Sequence, residues 1–205
     1  LTSWNALMIS AMAKAGRLLN KPVYLEAAKK AQTFIEENLT DNSGELMIRW
    51  RKGEGAHTGQ LDDYAFYAFA LLEMYSATFK VYYLQRAERI AEKMLDLFLD
   101  SENTGFYFYS GKGEQLISRP KEVYDGALPS GNSVAATVLE QLYKLTGNIK
   151  WQKFSQQQMN FISGAIQDYP AGYTMSLISL TKALYPSKEL VCVTGETNEI
   201  PRQLS

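Results

Sequence analysis

The chain has 205 residues, 46% hydrophobic and 21% charged, which excludes intrinsic disorder and provides for one large core or two modest ones. Its 21 basic and 22 acidic residues leave a net charge of -1, which excludes the basic footprint of a nucleic-acid or anionic-membrane binder. No apolar run reaches the roughly 20 residues of a membrane span, no signal segment is present, and one cysteine (Cys192) with one histidine (His57) excludes an internal disulfide and the usual zinc site.

The expectation is therefore a soluble, cytoplasmic protein with no metal and no cofactor. In chain order, Ala6, Leu7, Met8, Ile9, Ala11, Met12, Ala13 and Leu18 occupy every side of a first helix from Trp4. A helix apolar all round is one buried all round. In the next helix Tyr24, Leu25, Ala28, Ala31, Phe34 and Ile35 recur at helical spacing while Glu26, Lys29, Lys30, Glu36 and Glu37 face away, the pattern of a surface helix. Behind the turn Asp41-Asn42-Ser43-Gly44, Glu45 to Arg51 alternates as a strand, and Gly53 to Gly59 reads as a glycine-rich loop carrying His57.

The second buried helix, Ala65 to Tyr75, carries only Glu73, and the amphipathic helix from Tyr83 to Phe98 follows it. Gly105 to Ser110 and Gln115 to Arg119 flank Gly111-Lys112-Gly113-Glu114 as a β-hairpin. Ser133 to Tyr143 is a third buried helix with Glu140 its one charge, and Trp151 to Ile162 its amphipathic companion. Tyr173 to Leu184 reads as a fourth inner helix that Pro186 ends. Glu189 to Val193 then reads as a strand with no visible partner, ahead of a polar tail.

Three of these stretches superpose without a gap over 21 residues: Trp4 to Tyr24, Asp63 to Tyr83 and Gly131 to Trp151. Buried inner helices alternating with amphipathic outer ones describe a closed α/α toroid or an open solenoid. The common solenoid repeats run about 33 to 47 residues with short turns. Here the offsets are 59 and 68 and contain strand-like insertions, which favours a mainly α fold of αα-hairpins forming part of an (α/α)6 toroid with β-hairpins on one rim. The expected division is a partial toroid over residues 1–186 and a strand and tail over 187–205. Six hairpins need about 380 residues at these spacings, so three and a half imply a piece of a larger toroid with apolar flanks on its first and last inner helices.

Three motifs stand in this order: Thr2-Ser3-Trp4-Asn5-Ala6-Leu7-Met8-Ile9, Leu61-Asp62-Asp63-Tyr64-Ala65-Phe66, and Arg119-Pro120-Lys121-Glu122-Val123-Tyr124-Asp125-Gly126-Ala127-Leu128-Pro129-Ser130-Gly131-Asn132-Ser133. Together they resemble the YyaL-like proteins, also called spermatogenesis-associated or thioredoxin-domain-containing (DUF255) proteins. The resemblance implies a six-hairpin toroid similar to N-acylglucosamine 2-epimerases, cellobiose epimerases and related glycosidases. It also implies a missing N-terminal half including a thioredoxin-like domain.

In the repeat alignment Ser3, Asp62 and Ser130 share one column, all of N-cap type. The next columns hold Trp4, Asp63 and Gly131, then Asn5, Tyr64 and Asn132. Inner helices related by the repeat run parallel, so their N-termini meet at one mouth with their positive dipole ends. A ring of aromatic, amide and carboxylate groups suits a sugar-like ligand. The expected catalytic groups are Asp63 and Asp125 as an acid/base pair and His57 as a proton carrier. The expected substrate-binding groups are Trp4, Asn5, Tyr64, Arg119, Tyr124 and Asn132. Glycoside hydrolysis needs only carboxylates, whereas the epimerases use more than one histidine. Glycosidase or epimerase-like chemistry thus stands beside a non-catalytic α/α scaffold that binds a protein or peptide, and open toroid edges predict self-association.

Overall fold

In the computed structural model, residues 1–112 and 118–185 are described. Over them the chain runs α1 (Thr2–Leu18), α2 (Pro22–Asn38), β1 (Met47–Arg51), β2 (Glu54–Thr58), α3 (Leu61–Thr78), α4 (Val81–Phe98), α5 (Gly131–Thr146), α6 (Ile149–Asp168), a 3-10 turn (Pro170–Gly172) and α7 (Thr174–Leu184). The four apolar helices form an inner row in which α3 packs between α1 and α5, and α5 between α3 and α7. Behind them α2, α4 and α6 each pack on the inner helix that precedes them. Since every outer helix returns the chain, successive inner helices run in one direction and their N-termini share one rim.

Composition decides the layer. Between Leu61 and Met74 every residue of α3 is buried except Asp62 and Phe69, and Gly131 to Glu140 of α5 are buried without exception, as helices with apolar neighbours on all sides must be. The core gathers Phe66, Tyr67 and Leu71 of α3, Ile35 of α2, Phe98 of α4, and Leu139 of α5. Ion pairs form between the outer helices, where Arg86 of α4 pairs with Glu36 of α2 at 2.9 Å and Lys150 of α6 with Glu92 of α4 at 3.1 Å.

The expectation of all-round burial fails for α1. Trp4 is 63% exposed and Met8 56%, because α1 has an inner neighbour on one side only among the described residues. Ile178 and Leu184 leave a comparable apolar edge on α7.

The glycine-rich stretch read as a loop is instead a strand. Residues of β1 and β2 pair antiparallel from Met47 with Thr58 to Arg51 with Glu54. Lys52 and Gly53, at φ 54° and 87°, form the two-residue turn that favours positive φ at both positions. The Thr2 hydroxyl donates to the Met47 carbonyl, seating this hairpin against the start of α1. Of the second expected hairpin, Phe106 bridges Leu99 and the Phe108 N–H donates to the Pro120 carbonyl at 2.8 Å, while Gly113 to Ile117 lie outside the described residues. Glu189 to Val193 and the boundary at 186/187 lie outside them too. No described helix is long and apolar enough to cross a membrane.

Candidate functional site

Four parallel helices that start on one rim bring together backbone N–H groups with no intrahelical acceptor. Carboxylates at each junction receive them. The Gln60 and Ser3 N–H groups both donate to Asp63, each at 2.9 Å, joining α3 to α1. The Ser130 N–H donates to one oxygen of Asp125 at 2.9 Å and the Met175 N–H to the other at 2.8 Å, joining α5 to α7. At the middle junction the Asp62 carboxyl of α3 lies against the start of α5 at Gly131, close enough for that backbone to favour its charged form. A Cβ on Gly131 would stand 2.5 Å from Asp62 Oδ1, so only glycine lets the two helices meet with that carboxyl between them.

The three carboxyls differ in what surrounds them. Asp63 is 2% exposed. Burial raises its pKa against the Gln60 and Ser3 donors, which favour the charged form. Burial, then the neighbouring Asp63 charge, then Glu122 push the Asp62 pKa up to about 7, against the smaller lowering influence of the Gly131 backbone. Sequence reasoning assigned Asp62 to capping and missed it as a titrating group. The cap of α3 is Gln60, in a capping box with Asp63, and that Gln-x-x-Asp spacing was the available signal. Ser130 does cap α5, accepting the Ser133 N–H at 3.1 Å.

The remaining expected residues separate. Trp4, Asn5 and Tyr124 are exposed at the rim, with Asn5 donating to the Leu1 carbonyl at 2.6 Å and Tyr124 edge-on to Tyr173 at 6.0 Å. Tyr64 and Asn132 are fully buried and are packing groups, which corrects their expected place on the mouth. The Tyr64 hydroxyl accepts the Leu46 N–H at 2.8 Å, and burial raises its pKa. The Asn132 amide is engaged by Phe106, Glu122 and Gln158 at 2.8 to 2.9 Å. Arg119 meets neither Asp125 nor Glu122: it donates to the Tyr109 carbonyl at 2.8 Å and stacks 4.1 Å over the Tyr107 ring. His57, exposed on β2, contacts Arg49 at 3.2 Å. Asp63 and Asp125, each held by two N–H groups of different helices, sit at separate junctions, and Asp62 is the carboxyl whose pKa burial and the charges of Asp63 and the exposed Glu122 push up to about 7.

No protein-family model matches the chain. It is 34% identical over 161 residues to spermatogenesis-associated protein 20 of Rattus norvegicus, covering 74% of the chain and 20% of that protein. It is 29% identical over 208 aligned positions to an uncharacterized protein of Caenorhabditis elegans, covering 97% of the chain and 28% of that protein. The chain thus spans between a fifth and a third of the length of these relatives. Among solved structures, a family 76 α-mannanase of Bacteroides thetaiotaomicron superposes with a TM-score of 0.68 at 13% identity, over 89% of the chain and 52% of the enzyme. A cellobiose 2-epimerase of Bacillus thermoamylovorans gives 0.66 at 18% identity, over 78% and 43%. An inactive α-1,6-mannanase variant of Salegentibacter, in complex with α-1,6-mannotriose, gives 0.65 at 15%, over 79% and 46%. These likenesses show the fold, an α/α toroid of which the chain supplies about half.

The Asp62 environment sets a pH dependence. Its pKa is raised on folding from an ordinary 3.8 to about 7, so between those values the folded chain holds a proton the unfolded chain has released. Stability is full below about pH 4 and falls as pH rises through about 7, by at most about 4 kcal/mol. Urea unfolding at pH 5 and pH 8 should show the lower stability at pH 8, with Asp62→Asn removing most of the difference and leaving the smaller contribution of Asp63. Equal stabilities at the two pH values in the unmodified chain would contradict the assignment.

Proposed function

Because the chain belongs to the spermatogenesis-associated protein 20 family and supplies half of a toroid of carbohydrate-enzyme type, we propose that its inner-helix rim binds a sugar and that Asp62 is the proton donor of a glycoside-cleaving reaction. One observation carries this reading: a carboxyl at the open rim with a pKa near 7, a value that suits a general acid at neutral pH. Glu122, exposed and close enough to raise that value, is the second carboxylate such a reaction needs. Exposed Trp4 and Tyr124 offer faces for sugar C–H groups.

The Salegentibacter mannanase supports the reading, since its inactive variant has two consecutive aspartates changed to asparagine. Asp62-Asp63 is the one such pair in this chain. The two members then divide the work: Asp63 fixes the α1–α3 junction, and Asp62 delivers the proton. Asp62→Asn should lower hydrolysis of an aryl α-mannoside by about 100-fold or more with mannotriose affinity within a few-fold. Unchanged hydrolysis in that variant would overturn the role.

The bare faces of α1 and α7 favour a second reading, a scaffold that pairs with a second copy of itself. Covering about 800 Å² of apolar surface is worth on the order of 20 kcal/mol before association costs cancel most of it. Sedimentation at micromolar concentration should give a dimer that Met8→Glu converts to monomer. A monomer from the unmodified chain contradicts this reading alone.

A further inference from the structure

Eleven residues along α3 from Asp62, about 16 Å at 1.5 Å per residue, the inner row holds a cleft of about 230 Å³ between α1 and α3. Leu7, Ser10, Ala11 and Lys14 of α1 line it, with Phe69 and Glu73 of α3. The Glu73 carboxyl is 8% exposed, and its Oε2 is buried without a hydrogen-bond partner among the described residues. The hydroxyl of Ser10 does not serve it, since that group donates to the Ala6 carbonyl at 3.0 Å. An unpartnered buried acceptor is destabilising, more so when charged.

The charges around Glu73 restrict what the cleft accepts. Lys182 of α7 feels the Glu73 charge and, with opposite sign, those of Lys14 and Lys144. Among the described residues α7 packs chiefly on α5, and burial is the first cause of the lowered Lys182 pKa, followed by these charges. Lys144 is paired with Glu140 at 3.5 Å. An anion in the cleft meets Glu73, and a cation meets Lys14 and Lys182. A neutral ligand with several hydroxyls satisfies both: one O–H donates to Glu73 Oε2, another oxygen accepts from Lys14 Nζ, and a C–H face lies on Phe69. The volume falls below the usual range of about 300–1,000 Å³ for ligand sites, which admits a single ring.

We propose that the cleft between α1 and α3 is a binding site for one neutral monosaccharide ring, held by Glu73 and Lys14 against Phe69. The proposal rests on the sugar reading of the same inner row and adds to it a second site below the rim.

The test uses the full chain and methyl α-mannoside, with mannose 6-phosphate and glucosamine as charged counterparts, and follows binding by ligand-observed NMR. Glu73→Met keeps the length of the side chain and removes both oxygens; without ligand it should raise the urea midpoint, as loss of an unpartnered buried charge does. The same variant should weaken methyl α-mannoside binding by tenfold or more, as should Phe69→Leu to a smaller extent, and the charged sugars should bind the unmodified chain more weakly than the neutral one. Binding of methyl α-mannoside unaffected by Glu73→Met overturns the site whatever the rim does. Tighter binding of either charged sugar overturns the charge argument. If the unmodified chain binds the ring through Glu73 yet cleaves no aryl mannoside, this site stands and the catalytic reading of the rim falls.

Discussion

The structure depends on how three junctions between parallel helix N-termini are neutralised. Parallel inner helices are unavoidable once each hairpin returns the chain to the same rim, and each helix presents N–H groups with no internal acceptor and a positive dipole end. Three aspartates answer this, one per junction, each placed between adjacent helices: Asp63 between α3 and α1, Asp62 between α3 and α5, Asp125 between α5 and α7. Apolar packing brings the helices together without direction, whereas the carboxylates set their relative height.

The same constraint separates structure from chemistry at the rim. A carboxyl with two N–H donors on different helices has little freedom to move. The middle junction is different, because Gly131 supplies backbone and no side chain, and Asp62 is pressed between burial and two other acids. Lower on the inner helices the repeat changes again, with Lys14 in α1, Glu73 in α3 and Gln141 in α5 at the corresponding position. Glu73 Oε2 and Gln141 Oε1 are both buried without a partner among the described residues, which is the polar character of a lined cavity. Rim and cleft thus differ in kind: carboxylates answered by backbone above, and polar groups awaiting a ligand below.

Much of the fold was legible in the residues. The all-round apolar character of Ala65 to Tyr75 and Ser133 to Tyr143 identified the inner row, because burial on every side tolerates little else, and Tyr173 to Leu184 was recognisable by the same pattern. Local signals misled where glycine was concerned: Gly53, Gly55 and Gly59 looked like a loop, although Lys52-Gly53 is a hairpin turn and Gly55 lies within β2, where its Cβ would stand 2.5 Å from the Met47 side chain. At the site, residue type was informative and role was not. Asp62 and Asp63 are adjacent and alike in chemistry, and which one completes the cap and which one is pushed furthest up follows from Gln60 occupying the cap and Gly131 lying opposite, a contact between residues 69 apart. Tyr64 and Asn132 were placed at the correct height on their helices, but helix rotation turns them into the core, and the repeat alignment carries no information about that rotation.

The most direct measurement is a carbon-13 NMR titration of the Asp62 carboxyl in the intact chain. A midpoint near about 7, with Asp62→Asn removing that transition and no other, is the result this account predicts. A midpoint near the ordinary value of about 4 would mean that burial and the neighbouring acids do not hold a proton on Asp62, and would contradict both the division of labour at the rim and the assignment of Asp62 as its proton donor.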